Sequence, residues 1–322
     1  MNAALTPFLT PDAGVPLDRP FTTSWARAQG VDSRRLRAWR QAGLLLSPVH
    51  GVWYAAQLAD DLALRLACLR LVVPEHAVVT DRTAAWLHAA ERVLEPHAHL
   101  AVPPVDLFLL PGGRLRRDVT RSGQRELLAD EIELIDGIRV TTKLRTTCDL
   151  GRHLPRRHAF AAMCAMLQVA DFVVEDLQRQ AEIRFRGHRW VRQLRGLIPL
   201  CDPRFASPGE CALALIWHDT PGLPPFEPQV PVPAPHGFFY LDLGVPDLLY
   251  GAEYDGAEFH GADRAAADAA RRTWLTEQAG WMLSVFVAED VRGTGRCASE
   301  RLQRDIAEAR RTFGVRARRV VL

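Results

Sequence analysis

Apolar residues first fall at helical spacing, then at strand spacing, before residue 57. Thr22 or Thr23 can cap a short helix running to Ala28, which Gly30 stops. Asp32 or Ser33 can cap a second helix, Arg34 to Ala42, ended by Gly43, with Leu36, Trp39 and the following Leu44 on its inner face. Leu44–Leu46 and Val52–Tyr54 read as short strands joined through Ser47-Pro48-Val49-His50-Gly51. The order predicts a winged helix-turn-helix over residues 19–58. Residues 1–18 contain three prolines and little apolar periodicity, and read as a flexible arm.

Residues 59–200 alternate helical and strand-like segments and read as a mixed α/β middle domain. Helices are expected over Leu62–Val73, Arg82–Ala90, from Thr142 across Arg145 and Cys148, over 158–181 and over 189–198. His97–Pro103, Asp106–Leu110 and Ile132–Val140 read as strands, the last with a turn at Asp136-Gly137. From residue 201 the pattern becomes helix 208–218, a proline-rich loop 221–235, strands 238–245 and 249–255, helix 262–279, strand 281–287 and helix 298–313. The fold class expected is therefore α/β multidomain, with a C-terminal α/β domain over 201–322.

Alternation along Phe238–Val245 puts Phe239, Leu241, Leu243 and Val245 on one face, and Tyr240 and Asp242 on the other. Glu253 and Asp255 share a face of the next strand. A tight turn at Pro246-Asp247-Leu248 sets Asp242 opposite Glu253 and Tyr240 opposite Asp255. Directly opposed Cβ atoms lie roughly 4.5–5.5 Å apart, and like charges there are destabilising. Three carboxylates on one patch need a counter-charge, and a divalent cation is the simplest supplier. Asp242 and Glu253 would then hold Mg²⁺ or Mn²⁺, which activates water and stabilises charge on a phosphoryl group. A solvated acidic edge without metal is the competing reading.

Composition adds bounds. The chain has 322 residues, 48% hydrophobic and 24% charged, an ordinary globular balance with room for two or three domains. A net charge of +2 requires any nucleic-acid surface to come from local clustering. Of the 40 lysines and arginines only Lys143 is lysine. Six cysteines are scattered without a C-x-x-C pair, so reduced core thiols are expected rather than a zinc ribbon or disulfide framework. With no signal pattern and no apolar run near 18 residues, the sequence reads as a cytoplasmic chain without membrane spans.

The stretch Ser207-Pro208-Gly209-Glu210, then Tyr240-Leu241-Asp242, Ala252-Glu253-Tyr254-Asp255-Gly256, His260 and Gly280-Trp281 resembles a bacterial domain related to the very-short-patch-repair endonucleases of the PD-(D/E)xK superfamily. The resemblance implies a restriction-endonuclease-like fold with a metal at Asp242 and Glu253. This chain departs at Asp255, which stands where the superfamily usually has lysine. His260 then becomes the candidate general base or leaving-group acid, since imidazole titrates near neutrality; the plain reading is an exposed histidine after a turn. Glu210 has two readings: an acidic residue completing the site, or half of a capping box with Ser207 and Pro208.

Arg34, Arg35, Arg37 and Arg40 crowd the second helix of the head, where such an element lies in the major groove, and His50 stands at the wing tip. A solvated basic helix is the alternative. Leu36–Leu44 with Gly51–Ala55, then Arg82–His88 and Val140–Leu150, resemble AbiEi-type antitoxins. That resemblance implies autoregulatory DNA binding and neutralisation of a nucleotidyltransferase-type toxin. Arg145 and Asp149 read as an i, i+4 pair. Two functions stay open: a DNA-targeted, metal-dependent endonuclease, and an antitoxin-like regulator whose nuclease fold does not turn over.

Overall fold

The computed structural model describes residues 8–89, 105–109, 120–256, 262–293 and 295–317. The chain is mixed α/β and divides into two compact units. The first comprises 1–153 and 169–198; the second comprises 154–168 and 199–322.

The first unit opens with a single 3-10 turn, Pro11–Ala13, closed by Gly14 at φ 71. Residues 8–18 do not form the expected free arm. Leu9, Ala13 and Val15 are buried in one cluster with Phe21, Val31, Leu36, Leu45 and Trp53, because a head this small needs them to close its core. Strand β1 (Phe21–Thr22) leads into α1 (Thr23–Ala28), whose N-terminal amide at Trp25 donates to the Thr22 hydroxyl at 3.1 Å. Gly30 takes φ 82 and ends the turn. Helix α2 (Ser33–Gln41) is capped by Asp32, which accepts the Arg35 N–H at 2.8 Å, and Gly43 at φ 72 follows it. Strands β2 (Leu45–Leu46) and β3 (Val52–Ala55) complete an antiparallel sheet ordered β1-β3-β2.

Next come α3 (Leu62–Arg70), β4 (Ala77–Val79), α4 (Asp81–Leu87), β5 (Val105–Leu109), β6 (Thr120–Gln124), β7 (Ile132–Ile135), β8 (Ile138–Thr141) and α5 (Lys143–His153). The five strands are ordered β6-β5-β4-β8-β7. Asp136 and Gly137 both adopt positive φ, 47 and 81, so the Asp-Gly hairpin forms where expected. The strand expected at His97–Pro103 lies outside the described residues. A second apolar cluster joins Val49, Val52 and Tyr54 of the head to Leu66, Leu69, Val79, Trp86 and Val140.

The expected helix over 158–181 is two helices. α6 (Arg156–Gln168) belongs to the second unit, and α7 (Val174–Arg179) returns to the first with α8 (Val191–Leu197). A boundary at residue 201 therefore misplaces α6. It packs on α9 (Pro208–Asp219) and is pinned there by Arg156 to Asp219 and by Phe160 edge-on to Phe205 at 5.7 Å.

The sheet of the second unit contains β9 (Glu227–Ala234), β10 (Gly237–Val245), β11 (Tyr250–Asp255) and β12 (Met282–Val287), ordered β12-β11-β10-β9. Helix α10 (Ala262–Glu277) precedes β12, which pairs parallel to β11; α11 (Ala288–Val291) and α12 (Arg296–Ala317) follow. Strand β9 occupies the segment expected to be a proline-rich loop. It is an edge strand, where a missing N–H can face away from the ladder, and Pro231 and Pro233 are exposed. No helix among the described residues is long and apolar enough to cross a membrane.

Candidate functional site

The sequence Ser-Pro-Gly-Glu at the start of α9 has a local reason at each position. Ser207 accepts the Glu210 N–H at 3.1 Å, and Pro208 fills the first helical position. A Cβ placed on Gly209 would lie 2.0 Å from the Tyr254 ring, so only glycine lets β11 lie this close to the helix start. Glu210 turns back and accepts the Ala206 N–H at 2.7 Å and the Gln229 amide at 3.2 Å. Its capping reading is realised, displaced by one residue from the usual box.

The hairpin register is the expected one, with Leu243 opposite Ala252 and Val245 opposite Tyr250. The expected alternation is not kept. Phe239 and Leu241 join Trp274, Leu275 and Trp281, while a Cβ on Gly244 would meet Val230 and Trp281 of the same cluster. Residues 241 and 244 thus share a face, which an unbroken strand forbids. The break falls at Asp242, beside Gln229, whose φ of 52 interrupts the neighbouring strand. Asp242 uses it to accept the Tyr254 backbone N–H at 2.7 Å.

The carboxylates have counter-charges, and these are arginines. Arg271 donates to Glu253 Oε1 at 2.7 Å, and Arg272 donates to Glu253 Oε2 at 3.2 Å and to Asp255 Oδ2 at 2.8 Å. Arg271 also donates to the Tyr240 carbonyl at 3.2 Å. Glu253 is almost fully buried, its side chain 3% exposed. Both its oxygens therefore carry charge-assisted hydrogen bonds. Asp242 forms no ion pair among the described residues, although Arg271 lies near enough to lower its pKa. Burial, the nearby Glu210 and Glu253 carboxylates push its pKa up to about 7, against the lowering effect of the Tyr254 N–H.

This donor set does not fit a divalent metal. Glu253 and Asp255 are occupied by guanidinium groups, Glu210 by an amide, and no group of three or more His, Cys, Asp or Glu among the described residues is placed to hold an ion. Residues 271 and 272 supply counter-charge to Glu253 and Asp255. Both arginines stand in the helix expected over 262–279. The doublet itself was the missed signal, since the helix after an acidic hairpin is the nearest source of cations. His260 lies outside the described residues, so the candidate base has no position here. Lys143 pairs with Asp171 in the other unit, at 3.6 Å.

In the head, Arg34, Arg35 and Arg37 are exposed on α2, and none has an acidic partner among the described residues. Arg35 stacks over Trp39 at 4.6 Å. Arg40 is half-buried and engaged. His50 is exposed beside Val49, which is buried and fixes the loop against the second apolar cluster. The head thus presents a row of unneutralised guanidinium groups on one short, well-capped helix.

The same unit holds a buried charge network that sequence spacing showed only in part. Asp149 accepts Arg145 at 2.8 Å, Arg125 at 2.9 Å and Arg152 at 3.1 Å. Arg125 also grips Asp81 with two bonds, while Arg145 and Arg184 meet Glu131. The i, i+4 pair is real, but it is one edge of a network linking α4, α5, β7's leading turn and the segment after α7. Every carboxylate in it is satisfied, as burial demands.

Two Mycobacterium tuberculosis proteins, "Uncharacterized protein MT2308" and "Uncharacterized protein Rv2248", are each 28% identical to this chain over 262 residues, spanning 80% of it and 93% of the relative. Residues 76–200, which carry all the named members of the Asp149 network, match the family model described as the AbiEi antitoxin C-terminal domain.

Proposed function

We propose that the protein is a DNA-binding regulator of the toxin–antitoxin type. The carrying observation is the match of residues 76–200 to the AbiEi antitoxin C-terminal domain. The head supports it: two capped helices followed by a small antiparallel sheet read as a winged helix-turn-helix, and the unpaired arginines of α2 suit phosphate and guanine contacts. The partner implied is a nucleotidyltransferase-type toxin. Fluorescence anisotropy with duplex DNA from upstream of its own gene, against a scrambled duplex at stepped salt, tests the DNA half. Preference for its own DNA is expected, and equal affinity for both would sink the regulator. Co-expression with a neighbouring nucleotidyltransferase should restore growth; unrelieved toxicity would remove the antitoxin half.

An endonuclease reading of the second unit keeps two observations: the order α9, three strands, α10, β12, and the raised Asp242 pKa. The arginine-filled carboxylates argue against it. Incubating the protein with plasmid and Mg²⁺ or Mn²⁺, beside Asp242→Ala and Glu253→Ala, decides the matter. Cleavage by the wild type that both variants lose would reinstate it; intact plasmid throughout is the expected result.

A further inference from the structure

Three cysteines far apart in the chain meet on one helix face. Phe160, Cys164 and Gln168 are spaced i, i+4, i+8 along α6, so they lie in one row. Both ends of the row are fixed to the segment before α9. Phe160 packs on Phe205, and Gln168 donates to the carbonyls of Pro203 and Phe205 at 3.0 and 2.7 Å. Cys164, between them, therefore faces Cys201, and α9 brings Cys211 alongside. Cys164 and Cys211 are buried; Cys201 is half-buried and lines a cavity of about 570 Å³ with Phe160, Phe205, Trp217, His218 and Phe226.

We propose that Cys164 and Cys201 form a peroxide-sensitive thiol pair, which closes to a disulfide when a small hydroperoxide enters this cavity. The proposal is independent of the DNA-binding reading.

The hydrogen bonding assigns the roles. Burial alone would raise the Cys164 pKa, but the S–H groups of Cys201 and Cys211 and the Asp202 N–H all point to its sulfur and hold it well below the ordinary thiol range. Donating to Cys164, together with burial, pushes Cys201 and Cys211 well above it. Cys164 is thus the more readily ionised sulfur, and Cys201 the thiol that an oxidant meets. In the first step the Cys201 sulfur attacks one peroxide oxygen, the O–O bond breaks, and the Cys201 proton passes to the departing oxygen, leaving Cys201 sulfenic acid and water. The Cys164 thiolate then attacks the Cys201 sulfur. The S–O bond breaks and hydroxide leaves. The two sulfurs lose two electrons and the peroxide gains two. Among the described residues no group is spaced to hold a metal that would occupy these thiols instead.

The test is a peptide map of the full chain. Reduced protein is exposed briefly to hydrogen peroxide, then denatured in iodoacetamide and digested without reductant. The expected product is one linked peptide pair containing Cys164 and Cys201, lighter by two hydrogen atoms, with Cys211 and the exposed Cys297 alkylated. Cys211→Ser should still form the link and Cys201→Ser should not. The wild-type map alone decides if either variant folds poorly. Full alkylation of Cys164 and Cys201, a link to Cys211 instead, or oxidation confined to Cys297 would each overturn the assignment. Zinc released from the untreated protein by a thiol-blocking reagent would do so too.

Discussion

Helices α2 and α10 each carry an arginine doublet, and they put it to opposite use. Arg34 and Arg35 stand exposed, with no carboxylate partner among the described residues. Arg271 and Arg272 turn onto Glu253 and Asp255, which lie partly or wholly out of water. A buried carboxylate forces its partner to stay, because the desolvated charge cannot stand alone. An exposed guanidinium has no such obligation and can trade water for phosphate. The doublet at α2 is therefore available to a ligand, and the doublet at α10 is part of the fold.

The largest break in this comparison should come from α10. Arg271→Ala with Arg272→Ala should lower urea-unfolding stability by about 3–5 kcal/mol, since Glu253 is left buried and unpaired. Adding Glu253→Gln should recover most of it. A double variant as stable as wild type would show that the arginines are not the counter-charge. The matching pair Arg34→Ala and Arg35→Ala should stay within about 0.5 kcal/mol of wild type.

Asp242 gives the next effect. Its folded pKa of about 7 lies above the ordinary 3.8, so between those values the folded state keeps a proton that the unfolded state has released. Stability should fall as pH rises from about 4 to about 7, by on the order of 3 kcal/mol. Asp242→Asn keeps an oxygen for the Tyr254 amide and should flatten that slope in melting curves. An unchanged slope would move the proton elsewhere.

Gly209→Ala should cost about 1–3 kcal/mol, because the new methyl meets the Tyr254 ring. Trimming that ring with Tyr254→Leu should relieve part of the loss; additive losses would deny the contact. The smallest stability change, with a clear binding signature, is expected for Arg34→Ala with Arg37→Ala. The slope of log affinity against log salt should flatten by about 1.8 if each contacts one phosphate. An unchanged slope would make α2 a solvated face.

Elements with local causes were legible. Thr22 and Asp32 as caps, Gly30, Gly43 and the Asp136-Gly137 turn all act within a few residues of themselves. The hairpin register was legible for the same reason, since the short turn after Val245 fixes it. The acidic centre was legible as a place, but not the cations that meet it. Asp242, Glu253 and Glu210 do converge, but the cations that answer Glu253 and Asp255 come from a helix that the hairpin pattern cannot aim. Prolines argued against a strand at β9 because nothing in the local pattern says which strand will be the edge.

The sequence by itself determined where helices start and stop, which loop turns the hairpin, and which helix of the head is basic. Those outcomes rest on capping, φ preference and periodicity, which are short-range. The tertiary structure alone decided which arginine doublet is neutralised, where the β10 alternation breaks, which unit α6 joins, and that Cys164, Cys201 and Cys211 meet. Each of those depends on burial and on partners tens of residues away, and only packing brings them within reach.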